Sequence, residues 1–142
     1  MIWRALRNIE EKYDLDFVGS YGEILYNVKI LIAFRSYSPM KVDRARELVV
    51  ACTEEFLKYI NESEELRQYV DVYSSTVKDV GVIIYGTDEN FSQIYIACVF
   101  LSRGNIQYYV NTRRSFKLIH EETYEEGLEI VKQESTLRNK TS

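Results

Sequence analysis

One stretch constrains this chain more than any other. Between about Pro39 and Asn61, Ala45, Leu48, Val49, Cys52, Phe56, Tyr59 and Ile60 recur at three- and four-residue intervals, the spacing that returns side chains to one face of an α-helix. Arg46, Glu47, Glu54, Lys58 and Glu62 fall opposite and predict a solvated face. Some twenty residues at 1.5 Å rise make a rod of roughly 33 Å, long enough to lie across a whole small sheet. Ser38-Pro39 predicts its start, with the serine as N-cap and the chain's one proline in the first turn, where its missing N–H is not needed. Ser63 to Leu66 continues this helix or restarts a short one.

Four segments supply strands for that helix to cover. Glu23 to Arg35 alternates with period two, with Ile24, Tyr26, Val28, Ile30, Ile32 and Phe34 on one side. Val77 to Tyr85 leads into a turn-rich stretch, Gly86 to Asn90. Phe91 to Ser102 is apolar on both faces, as in a central strand covered from both sides. Arg103-Gly104-Asn105 predicts a tight turn into a strand from Ile106 to Ile119, which Asn111 to Arg114 kinks or splits. At the amino end Ile2, Leu6, Ile9 and Tyr13 predict an amphipathic helix, followed by a loop over 14–22 carrying Gly19, Ser20 and Gly22. At the other end Thr123-Tyr124-Glu125-Glu126 matches a capping box, opening a helix to about Glu134.

These elements predict one α+β domain over 1–142, a four-stranded antiparallel sheet with the long helix packed on it, in the order α-β-α-β-β-β-α. Residues 1–22 form the first helix and loop, 23–119 the core, 120–134 the last helix and 135–142 a frayed tail. A strand, a long helix and a three-strand meander over 23–119 resemble the cystatin-like layout in topology. That resemblance implies a bent sheet wrapping one helix. The Q-x-V-x-G hairpin motif of protease-inhibiting cystatins is absent, so it implies no inhibitory activity.

Charge removes several classes of function. With 18 basic and 22 acidic residues and a pI near 5.1, the chain lacks the cationic surplus that supplies nonspecific affinity for nucleic acid, so no nucleic-acid partner is expected. No apolar run reaches the ~20 residues of a membrane-spanning helix. The amino terminus enters a helical pattern directly. A cytoplasmic location is therefore the default expectation, with a secreted or periplasmic one open if Met1 replaces a removed leader. Cys52 and Cys98 lack C-x-x-C spacing and read as reduced, buried thiols, close together if helix and central strand pack there.

No catalytic, metal or cofactor signature stands out, and neither cofactor nor metal is expected. His120 is the single histidine, which excludes multi-histidine sites; Glu121 and Glu122 could orient its imidazole, but it reads more simply as an exposed or capping residue. Glu121, Glu122, Glu125, Glu126 and Glu129 suit the positive end of a helix dipole. Twelve tyrosines against six phenylalanines and one tryptophan is the unusual feature. Tyr26, Tyr85, Tyr95, Tyr108 and Tyr109, with Arg35, Arg103 and Arg113, form the candidate binding set, clustered on a sheet face or edge. They predict a non-catalytic binding or protein-interaction domain, with a protein partner or self-association. The alternative is a carrier of a small apolar ligand, or a small enzyme, with a pocket between helix and sheet and Asn27, Lys29, Arg35, Tyr95 or Asp79 facing inward.

Overall fold

The computed structural model describes residues 2–21, 30–63, 76–87 and 92–141, the terminal residues 2–3 and 139–141 and Tyr21 by their backbone alone. The elements run α1 (Ile2–Tyr13), β1 (Leu15–Tyr21), β2 (Ile30–Ser36), α2 (Val42–Glu62), β3 (Val80–Tyr85), β4 (Ile96–Ser102), β5 (Asn105–Asn111), β6 (Phe116–Thr123) and α3 (Tyr124–Thr141). The strands lie in one sheet in sequence order, β1 to β6.

The α+β class stands, while the sheet has six strands rather than four. Residues 15–21 form a strand where a loop was expected. Leu15 and Phe17 point inward opposite Ser36 and Phe34, and Gly19 and Ser20, read as loop formers, carry on the ladder after a bulge between Phe17 and Gly19. The expected strand over 23–35 is described only from Ile30. The segment 106–119 splits, as Asn111 to Arg114 suggested: Thr112 accepts from the backbone N–H groups of Arg114 and Ser115 and so closes the turn between β5 and β6.

The sheet is not wholly antiparallel. β2 and β3 pair in parallel, Ile30 against Val80 through Arg35 against Tyr85. A parallel pair needs a long crossover between its strands, and α2 lies in that connection. The cystatin-like antiparallel arrangement is corrected at this junction. The start of α2 differs too. Its N-cap is Lys41, without a side-chain cap, Pro39 lies ahead of the helix, and the Ser38 carbonyl accepts from the Ser36 hydroxyl. At the carboxyl end α3 runs on to Thr141, through the tail expected to fray. Its first turn has the expected box, Thr123 Oγ1 accepting from the Glu126 N–H and Glu126 Oε1 accepting from the Thr123 N–H.

All three described helices share one face of the sheet. Leu6 and Ile9 of α1, the α2 stripe and Tyr124 of α3 join Ile32, Phe34, Val82, Ile84, Val99, Leu101, Ile106 and Tyr108 in a single core. The terminal helices thus flank α2 and leave the second face to other cover. There Leu31, Ala33, Ile83 and Cys98 form a smaller buried cluster, edged by Tyr85, Phe100 and Tyr109. A bulge between Ile96 and Cys98 sets the facing of β4, with Val99 and Leu101 toward the helices and Cys98 away. Cys52 and Cys98 therefore lie on opposite sides of the sheet. Burial raises both thiols, Cys98 to about 12, as expected of inert core groups.

Candidate functional site

Two features could carry function, and both involve β6. The first is a buried charge. Glu122 pairs with Ile106 and so faces the helix side, where it is only 6% exposed. Arg46 on the flank of α2 reaches it with two nitrogens, Nε to Oε2 and Nη2 to Oε1, both at 2.8 Å. The Tyr108 hydroxyl on β5 donates to Oε2 at 2.8 Å, and His120 Nε2 lies 2.7 Å from Oε1. Each carboxylate oxygen thus has two donors, the full acceptor capacity of an ionised carboxylate. Because that carboxylate can only accept, His120 carries its proton on Nε2.

Packing tightens this group. The Arg46 guanidinium lies 5.8 Å from the Tyr108 ring centre, and the His120 ring 5.4 Å from it. A Cβ on Gly127 would sit 2.7 Å from Glu122 Oε2 and 2.9 Å from Ile106 Cδ1, so the absence of a side chain lets α3 lie against the carboxylate. One turn earlier, the Tyr124 hydroxyl donates to Glu54 of α2. The electrostatics follow from this geometry. Burial pushes the Glu122 carboxyl up, but the bonds from Arg46, Tyr108 and His120 outweigh it and leave it below the ordinary carboxylate value. The Glu122 hydrogen bond strengthens the protonated form of Arg46 against the opposing cost of burial. Burial first, then the neighbouring carboxylate, raises Tyr108; the same two causes raise Tyr124 beside Glu54.

The second feature is the face away from the helices. Cross-strand pairing places Arg35, Tyr85, Cys98, Tyr109 and Leu118 in one row from β2 to β6. Burial falls along the sheet, from Leu31 at 1% exposure to Leu118 at 44%. The row ends on β6, the last strand of the sheet, where Phe116 and Ile119 are also exposed, at 54% and 45%. Ile119 is the extra residue of a bulge, since His120 pairs with Tyr108 and Leu118 with Tyr109.

The structure divides the predicted tyrosine cluster. Tyr85 and Tyr109 share the second face, half-buried, with the Tyr109 hydroxyl donating to Gln107 Oε1 at 2.7 Å. Tyr108 is fully buried on the opposite side in the Glu122 group. Tyr95 precedes β4 rather than lying on it. Tyr26, Asn27 and Lys29 lie outside the described residues. Arg35 is exposed on the second face beside Tyr85; Arg103 occupies the β4–β5 turn with φ 52°, ahead of Gly104 at φ 81°; Arg113 is exposed in the β5–β6 turn. Asp79 accepts from the Thr76 N–H at the turn before β3.

Sequence reasoning missed Arg46, placing it on the solvated side of α2, missed the bond that exposed Glu54 accepts from Tyr124, and missed the exposed apolar run of β6. The signal for the latter was present: Phe116, Leu118 and Ile119 sit in a segment that must end the sheet if the preceding meander is regular. Among the described residues there is no group of three or more His, Cys, Asp or Glu side chains arranged to hold a metal, and no helix long and apolar enough to cross a membrane. A groove of about 300 Å³ lies between α1 and α2, lined by Arg4, Asn8, Lys58 and Tyr59 among others, away from the helix–sheet interface. No family model, no curated protein and no solved structure matches this chain.

Proposed function

We propose that this chain is a non-catalytic protein-interaction domain whose contact surface is the outer edge of β6 together with the adjoining end of the second sheet face. The observation that carries this reading is the exposure of Phe116, Leu118 and Ile119 on the strand that ends the sheet among the described residues. An apolar edge strand is a template for pairing with another chain, and sheets that avoid such pairing blunt their edges with charge, bulges or polar residues. At the other edge of the described sheet β1 exposes one large apolar side chain, Val18, beside the polar or small Asp16, Gly19 and Ser20, where β6 exposes three.

Two observations favour binding over catalysis. The buried carboxylate of Glu122 has every acceptor position occupied and is held in its ionised form, the reverse of what a general acid or base requires. The inward stripe of α2, from Ala45 to Ile60, is almost completely buried against the sheet and the flanking helices, which weighs against the alternative of a ligand pocket beneath it. The test is site-specific photocrosslinking in cells, with a photoreactive residue in place of Leu118 or, on the opposite edge, Val18. Adducts from position 118 and none from 18 are expected. Equal yields from both, or none from 118, would overturn the proposal.

A further inference from the structure

We infer that the partner of β6 is a second copy of this chain, its β6 running antiparallel to the first across a two-fold axis near Ile119. This rests on the reading of β6 as the contact strand and adds the identity of what it contacts.

The argument comes from the order of charges along the strand. Arg113 and Arg114 in the preceding turn and Lys117 make one end basic; Glu121 and, in the first turn of α3, Glu125 make the other acidic, and all five are exposed. Laid parallel and in register, two such strands would set like charge on like. Reversed across a two-fold axis, the basic end of each meets the acidic end of the other. The axis also brings Leu118 and Ile119 of one copy against the same pair of the other. Eight residues at about 3.3 Å make an edge of roughly 26 Å, along which the N–H and C=O groups directed away from β5 meet no other strand among the described residues. Apolar contact from the second face adds to them, through Leu118 and the neighbouring Tyr109.

The bulge belongs to the same picture. Bulges usually interrupt edge pairing, but here the extra residue is Ile119 itself, so that two consecutive large apolar side chains stand exposed at the centre of the strand. A two-fold contact uses the same patch on both copies and closes on itself, giving a dimer instead of an open fibre. Charge reversal between the strand ends enforces that closure, since a slipped or parallel pairing faces like charges.

Sedimentation equilibrium on the intact chain over the micromolar range tests this. The native protein is expected at twice its 16.8 kDa monomer mass, and Leu118→Arg at the monomer mass with an unchanged far-UV circular dichroism spectrum. Lys117→Glu and Glu121→Lys should each weaken the dimer by about tenfold or more, since each sets like charge where opposite strand ends meet across the axis. A monomer at every concentration, with the Leu118 crosslink going to a different protein, would overturn the second copy and leave the contact strand standing. A monomer with no crosslink would remove both. A dimer indifferent to all these substitutions would place the interface elsewhere and end this inference.

Discussion

The two halves of β6 do opposite things with the same backbone. From Phe116 to Ile119 the strand exposes large apolar side chains, while from His120 to Thr123 it is tied inward through Glu122 to Arg46 of α2, Tyr108 of β5 and the close approach of Gly127 on α3. An edge strand has a neighbour on one side only and frays easily. The Glu122 group gives this one a second attachment, to a helix, at one end. The anchored half thereby lets the other half stay extended and presentable without a covering layer. On this division, substitutions at Glu122 and the groups bonded to it should change stability and leave association to follow, whereas those at Leu118 and Ile119 should change association alone.

The largest effect is expected at the anchor. Glu122→Ala removes the partner of a mostly buried guanidinium and of the Tyr108 hydroxyl at once, and breaking one side of a buried ion pair typically costs about 3–5 kcal/mol. Urea unfolding should show a drop of that order, and Arg46→Ala should overlap with it rather than add. A loss under about 1 kcal/mol would place the group at the surface in energetic terms and erase the contrast between the halves. Next is Gly127→Ala. Helix propensity alone would favour alanine by about 1 kcal/mol, but the new Cβ meets an oxygen held by two donors and the Ile106 methyl at under 3 Å. A net destabilisation of about 1–3 kcal/mol is expected from overpacking. A gain in melting temperature would show that α3 has room to move outward.

The pH dependence sharpens the same point. The folded-state carboxyl of Glu122 lies below its ordinary value of 4.5, so the unfolded chain binds its proton first as pH falls. Its contribution is therefore complete above the ordinary value and is lost as pH drops through the lower, folded-state value. Stability measured by denaturant at a series of pH values should fall on that acid side for the native chain and fall less for Glu122→Gln. Parallel curves for the two would assign the acid slope to other carboxylates.

How far the sequence revealed this arrangement depended on whether a residue's role was local. The α2 stripe, the Thr123–Glu126 box and the split near Thr112 are settled by neighbours three or four residues away, and all were legible. β1 was not, because Gly19 and Ser20 signal a turn in isolation and are held in a strand only by pairing with Ala33 and Ile32. The parallel β2–β3 junction is a choice of strand order that periodicity does not encode. Arg46 shows the limit most clearly. Its place on the wheel of α2 is polar, as read, but β6 passes close to that flank and turns a solvated position into half of an ion pair that is 76 residues apart in sequence. Tyr108 and Tyr109 already fall on opposite sides of the alternation in the sequence, and the structure carries one into the Glu122 group and the other into the row that leads to Leu118.

The smallest expected effect on folding is the most informative about β6. Leu118→Arg replaces a side chain that is 44% exposed and, as a surface change, should alter the stability of the monomer by no more than about 0.5 kcal/mol. Association adds a second, concentration-dependent contribution, because a partner that binds only the folded state stabilises it by mass action. The melting temperature of the native chain should therefore rise with protein concentration, while that of Leu118→Arg stays flat and meets the native value at high dilution. Glu122→Ala gives the opposite signature, a lowered melting temperature at every concentration. Were Leu118→Arg to lower the melting temperature equally at all concentrations, Leu118 would belong to the folding core and the two halves of β6 would be doing the same work.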